Sequence, residues 1–249
     1  MGRPNFCDNW IGTMWDNERI TCPDGTVWQV GKKISEKSLL APDLSDGKHP
    51  TEAEAQAVYH CTQVLPGKSP QQRAIMKVRM QVPPTNIPDL NPLARTKIAQ
   101  EQPAFWTRFE VHALQHFNKK KCKSVPQLLN LVVTLQHGSH MPVPSGSLVF
   151  LIMEELPGVP LTGFWKYDRP KRDKIRASFR RSLEELFNVH GYPADYRLDN
   201  LIYDENTDMC YFVDFEETWV TESKPIMKFS NHYYFLWGLA HSENGKDIY

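Results

Sequence analysis

The chain has 249 residues and an apolar fraction of 41%, with 7 Trp and 12 Phe, enough to bury a core without disulfides or metals to staple it. Lys and Arg number 29 and Asp and Glu number 29, so any charged partner must be met by a local patch, not by the whole surface. Five widely spaced cysteines (Cys7, Cys22, Cys61, Cys122 and Cys210) include no Cys-x-x-Cys pair. That argues against a disulfide framework and a structural zinc site, and it fits a reduced, cytoplasmic compartment. No window approaches the roughly 18 continuous apolar residues of a membrane span, and the polar N-terminus lacks an apolar signal core. A soluble, unprocessed protein with no membrane partner is therefore expected.

Three alternating, β-rich runs open the chain: Thr26 to Ile34, Ala57 to Val64 and Arg73 to Met80. The stretches from Ser35 to Glu54 and from Met80 to Lys97, rich in Pro, Asp and Ser, are expected as loops or insertions. Pro103 suits a first helical turn, and Phe105, Phe109, Ala113 and Phe117 recur every four residues until a Lys-rich stop at Lys119. Val125 to Leu135 and Ser147 to Met153 predict two further buried strands. The pattern then turns helical. Ile175, Phe179, Leu183, Leu186 and Phe187 mark one face of a long helix ending near His190-Gly191, and a last helix is expected around His232 to His241. Trp219, Tyr233, Tyr234 and Trp237 are expected in the core. The whole reads as α+β, with a sheet-rich half over 1–155, carrying one helix and insertions, and a helical half over 156–249.

The densest chemistry lies in Asp195-Tyr-Arg-Leu-Asp-Asn200 and in Asp214-Phe215-Glu216, which follows the short apolar run Tyr211-Phe-Val. An Asp with an Asn five residues on, then an Asp at the end of a strand, is the arrangement that orients a nucleophile and holds a metal in phosphoryl transfer. With Ala74-Ile-Met-Lys77 on a strand and Glu110 on a helix, this order resembles the protein kinase-like fold over roughly residues 26 to 240. The resemblance implies two lobes: an antiparallel five-stranded N-lobe, and a reduced, mainly α C-lobe carrying the catalytic-loop and Asp-Phe-Glu segments. It also implies that Lys77 contacts phosphates with Glu110 as its helix partner, and that Asp195, Asn200 and Asp214 are catalytic.

Four features depart from that pattern. Pro193-Ala194 stand where the resemblance places His-Arg, and Glu216 stands where it places Gly. Ile34 to Ala41 has no glycine where backbone would approach phosphate. Thirty-three residues follow Glu216, without an Ala-Pro-Glu segment, so the C-terminal end looks more like the aminoglycoside kinase type than a protein-substrate platform.

Asp195, Asp214, Glu216 and Glu217 are expected to crowd one site, suited to magnesium or to a guanidinium or ammonium group. Lys166, Arg169, Lys171, Arg172, Lys174, Arg176, Arg180 and Arg181 concentrate positive charge beside Phe164, Trp165 and Tyr167, a pattern suited to RNA ends. An acid floor for a cation beside a basic helix is similar to the small fungal arginine-containing cyclodipeptide synthases. That resemblance implies aminoacyl-tRNA partners, arginyl-tRNA and a second one, joined into a cyclic dipeptide. Asp195 would then be the base, and Glu216 and Glu217, with Lys77 and Glu110, would contact substrate. No cofactor, metal or obligate protein partner is assigned on this reading. The alternatives are an ATP- and magnesium-dependent small-molecule phosphotransferase and a non-catalytic pseudokinase.

Overall fold

In a computed structural model the described residues are 9–40, 52–64, 72–85, 89–223, 225–243 and 246–248. Cys7 and the parts of the two expected insertions at 41–51 and 86–88 lie outside them. The residues group into two units, Met1–Thr107 with Leu128–Glu154, and Arg108–Gln127 with Glu155–Tyr249.

The first unit is built on one sheet. Its strands are β1 (Arg19–Thr21), β2 (Val27–Leu40), β3 (Ala53–Gln63), β4 (Arg73–Gln81), β5 (Leu128–Leu135) and β6 (Ser147–Glu154), ordered β1-β2-β3-β4-β6-β5 and all antiparallel. Six strands replace the expected five, because three-residue β1 is too short to show a period. A second correction concerns Ser35 to Leu40, expected as loop. It is the second half of β2, in which Ser35 and Leu40 are exposed and Glu36 and Lys37 half-buried, and its backbone pairs with β3 beyond two register shifts between Val30 and Ser35. Its Glu36 accepts from the amides of Ile11 and Gly12 at 2.7 and 3.2 Å, tying the N-terminal segment to the sheet.

Strand alternation assigns two faces. Ala55, Ala57, Tyr59, Met76, Val78, Met80, Phe150 and Ile152 build the apolar core, which Trp10, Met14 and Trp15 cover. The opposite face of β3 and β4 carries buried Glu54, Gln56, Lys77, Arg79 and Gln81. There Arg79 pairs with Glu54 at 3.2 Å, and Glu54 also accepts from Thr107 Oγ1 at 2.5 Å. A buried charge needs such partners to offset its desolvation.

Helices α1 (Pro92–Thr96) and α2 (Phe105–Lys119) follow β4. Arg108–Gln127, read from sequence with the first half, joins the second unit for a physical reason. Phe117 stacks edge-on against Phe215 at 5.3 Å, and the Ser124 carbonyl accepts from the Phe212 amide at 2.8 Å.

The second unit carries short strands among its helices: β7 (Val159–Pro160), α3 (Arg169–Asn188), β8 (Gly191–Pro193), β9 (Leu201–Asp204), β10 (Met209–Phe212), β11 (Thr218–Val220), α4 (His232–Leu236), β12 (His241–Glu243) and β13 (Lys246–Ile248). The α3 helix starts where its signals say. Asp168 caps it by accepting from the Lys171 amide at 3.0 Å, Pro170 sits in the first turn, and the five expected apolar residues are buried. Trp237 is 2% exposed as expected, but Trp219 is 61% exposed, because β11 has only β8 as a neighbour.

Gly191 opens β8 where the chain passes Phe117. A Cβ built there would lie 2.2 Å from Phe117 Cε1. Gly191→Ala is therefore expected to lower unfolding free energy by about 1–3 kcal/mol through overpacking. An unchanged urea midpoint at unchanged m-value would show that Phe117 yields freely.

Candidate active site

Two antiparallel pairings bring distant residues together. Strands β9 and β10 form a hairpin whose open end pairs Leu201 with Phe212, so Asn200 and Val213 emerge side by side and the Val213 amide donates to the Asn200 carbonyl at 3.0 Å. Strands β8 and β11 pair Pro193 with Thr218, so Ala194 emerges beside Glu217 and its amide donates to the Glu217 carbonyl at 3.0 Å. The segments 194–200 and 213–217 are thus held against each other from both ends.

Within that frame Asn200 is 4% exposed, and its amide nitrogen donates to Asp195 Oδ2 at 2.8 Å and to the Asp195 carbonyl at 3.1 Å. Asp214 sits at φ +66°, in the left-handed region that few non-glycine residues adopt, and Phe215 beyond it is buried. Asp195, Asp214 and Glu216 each offer a carboxylate oxygen, all lying within 4.8 Å of one another. Carboxylates at that spacing repel one another and form a site that hard cations and cationic groups satisfy.

A residue passed over in the sequence occupies the middle of this site. One Arg197 nitrogen, Nη2, lies 2.8 Å from Asp195 Oδ2 and 3.7 Å from Asp214 Oδ2, while its Nε lies 3.6 Å from Asp199. Burial works to lower the Arg197 pKa, but the charges of Asp195, Asp199, Asp214 and Glu216 overcome it, and the guanidinium titrates above its ordinary value. The available signal was a single base between two acids, Asp195-x-Arg-x-Asp199.

Of the expected site residues, Asp195, Asn200, Asp214 and Glu216 come together. Glu217 contributes its carbonyl to the frame, while its side chain is exposed and outside the group of three. Lys77, 8% exposed on β4, belongs to the first unit; Glu110, fully buried on α2, belongs to the second.

The basic helix is largely engaged within its own unit. Lys171 pairs with Glu205 at 2.7 Å and lies over the Tyr167 ring, and Arg181 reaches Asp208 at 2.8 Å. With Ser178, which donates to the Asp208 carbonyl at 2.8 Å, they fasten α3 to the turn of the β9–β10 hairpin. Tyr203 adds its hydroxyl to Asp208 Oδ1 at 2.8 Å, and burial first, then that carboxylate, raise its pKa.

Arg176 is 3% exposed, donates to the Leu239 carbonyl and to Asp173, both at 2.7 Å, and has its pKa lowered by burial against the opposing pull of Asp173. Arg180 pairs with Glu184, Arg169 with Asp173, and Arg172 stacks on Trp165. Lys166 and Lys174 are exposed. The aromatics expected as base-stacking platforms are thus partly covered by the helix's own cations, and Phe164 is fully buried.

No protein-family model matches the chain, and no curated protein matches it. Among solved structures, it is similar to the kinase PK-1 of Cydia pomonella granulovirus, at 16% identity over 78% of this chain and 53% of that one, with a TM-score of 0.44. It is also similar to the bifunctional kinase-methyltransferase WbdD, at 20% identity over 62% of this chain and 31% of that one, with a TM-score of 0.38. The chain spans about half the length of the first and about a third of the second. No helix among the described residues is long and apolar enough to cross a membrane.

Asn is among the few residues that tolerate left-handed backbone, whereas β-branched residues do not. Asp214→Asn is therefore expected to unfold within about 0.5 kcal/mol of the parent. Asp214→Val should lose about 1–3 kcal/mol. Thermal melts compare them, and equal stability of the two would show that no left-handed residue is needed there.

Proposed function

We propose that this chain is a kinase-like group transferase whose reacting centre is Asp195, Asn200, Asp214 and Glu216. The observation that carries the reading is the convergence of three carboxylate oxygens within 4.8 Å, with Asn200 anchoring Asp195. In its first form, the reaction is phosphoryl transfer from a magnesium-bound nucleotide to a small-molecule hydroxyl. Asp214 and Glu216 would hold the metal through carboxylate oxygens, and Asn200 would add its Oδ1 once Arg197 Nη2, 3.4 Å away, gives it up. Asp195 accepts the hydroxyl proton as the oxygen attacks the γ-phosphorus and the bond to the leaving diphosphate breaks. The phosphate-positioning roles of Lys77 and Glu110 belong to this same reading.

A second form draws on the guanidinium beside Asp195 and Asp214. Acids that accommodate Arg197 also suit the guanidinium of an arginyl substrate, as aminoacyl-tRNA-dependent formation of an arginine-containing cyclic dipeptide requires. In that form Lys166 and Lys174, exposed on and before α3, are the cations left for an RNA partner, with Arg169, Arg172, Arg180 and Arg181 released from their present contacts.

Two assays on the full chain decide between these forms. Incubation with magnesium, labelled ATP and a panel of small hydroxyl acceptors is expected to yield RNase-insensitive transfer that falls about 10²- to 10⁴-fold in Asp195→Asn. Incubation with tRNA, synthetases and amino acids is expected to yield no cyclic dipeptide by mass. Cyclic dipeptide lost on RNase treatment would replace the first form with the second. Absence of both activities would leave a non-catalytic scaffold and overturn the transferase reading.

A further inference from the structure

We propose that Arg197 is a built-in gate: its guanidinium sits against the acid site when no other cation is bound and must swing away for a divalent ion or a cationic substrate group to enter. This inference rests on the reading of Asp195, Asp214 and Glu216 as a cation site, and it concerns how that site is regulated. The geometry leads there directly. The same nitrogen, Nη2, touches Asp195 Oδ2 at 2.8 Å and approaches Asp214 Oδ2 at 3.7 Å, and these two residues supply two of the three converging carboxylates.

A magnesium ion binds its oxygens at about 2.1 Å. With Asp214 Oδ2 as a ligand and Arg197 in place, the ion would therefore lie no more than about 6 Å from Nη2, however the two were arranged around that oxygen. A dication and a guanidinium at that separation, in a partly buried site, oppose each other strongly. A monocationic substrate group meets the same opposition at half the charge.

The side chain has somewhere to go. Arg197 is 47% exposed, and its Nε already leans toward Asp199, whose carboxylate is 54% exposed at 3.6 Å. Rotation toward Asp199 keeps one acidic partner while vacating the other two, so gate opening exchanges partners instead of stripping the guanidinium bare. The backbone frame need not change, because the Arg197 amide and carbonyl are fixed to the Asp195 carbonyl and the Asn200 amide, both at 3.1 Å. Nη2 also donates to Asn200 Oδ1 at 3.4 Å, a long contact that opening gives up, while the Asn200 side-chain nitrogen keeps its bonds to Asp195.

The consequence is a threshold. Weakly binding monovalent ions do not displace the tethered guanidinium, whereas a divalent ion or a substrate with further contacts does. Population-shift reasoning says that a gate closed in all but a fraction of molecules weakens apparent affinity by that fraction.

Manganese binding, followed by electron paramagnetic resonance and calorimetry, tests this on the parent and on Arg197→Gln, Arg197→Lys and Asp214→Asn. Arg197→Gln is expected to bind at least about tenfold more tightly than the parent, the shift that a gate open in a tenth of molecules produces. Arg197→Lys should stay near the parent, and Asp214→Asn should lose binding. On the parent itself, adding magnesium should shift the Arg197 Nε–H resonance as the guanidinium leaves Asp195. Equal or weaker binding by Arg197→Gln, or an unmoved resonance at saturating magnesium, overturns the gate while leaving the cation site standing. Failure of both the parent and Arg197→Gln to bind manganese overturns the cation site and the gate with it. Binding by Arg197→Gln alone supports both.

Discussion

The candidate site depends on one constraint, the pairing of two short antiparallel ladders on either side of it. Strands β8 and β11 close one end and β9 and β10 the other, so 194–200 and 213–217 have little freedom to separate. Neither ladder is independently stable, because two-stranded pairs of three or four residues bury too little. Their support comes from the flanks. Phe117 of α2 seats Phe215 and presses on Gly191, and α3 clamps the hairpin turn through Ser178 and Arg181 on Asp208. Phe212 and Trp237 pack at 5.1 Å, and Phe179 of α3 meets both rings. The site is polar, but what positions it is a shell of aromatic packing.

This arrangement gives most cations of the basic helix partners that sequence spacing does not show. A density of Lys and Arg reads as an electrostatic face, since spacing alone does not show which acids the fold will bring opposite. Glu205 and Asp208 are far along the chain from Lys171 and Arg181 and become partners only once the β9–β10 turn docks on α3. Buried Arg176 is the extreme case: its guanidinium lies over the Phe164 ring and is spent on the Leu239 carbonyl and Asp173. Charge count was legible, and the acids and carbonyls that face it were not.

Other features were legible because their signals are local. The α3 face, its Asp168 cap and Pro170, and the alternating faces of β4 follow from periods of 3.6 and 2 with standard punctuation, and β6, buried from Ser147 to Met153, from a continuous apolar run. The convergence of Asp195, Asn200 and Asp214 was readable from motif spacing, although the nested ladders that produce it were not, since β8 and β11 are only three residues each. The second half of β2 was missed because a strand of Ser, Glu and Lys shares the composition of a loop. The stretch Ile34 to Ala41, noted for having no glycine where backbone would approach phosphate, is paired strand as far as Leu40.

Electrostatics then accounts for Arg197. Three carboxylates within 4.8 Å oppose one another by on the order of 3 kcal/mol per pair at an effective dielectric of about 20, and water at a partly closed site relieves only part of that. Asp195 has Asn200 as one compensating donor, but a neutral amide leaves the charge in place. A nearby guanidinium therefore offsets part of that repulsion, as a bound cation would. A site assembled this way folds before its ligand arrives, with a competitor tethered permanently beside its acids. Because the competitor is tethered through an extended segment between two of its own partners, Asp195 and Asp199, the same short stretch supplies a site acid, the charge that balances it and the acid to which that charge can retreat.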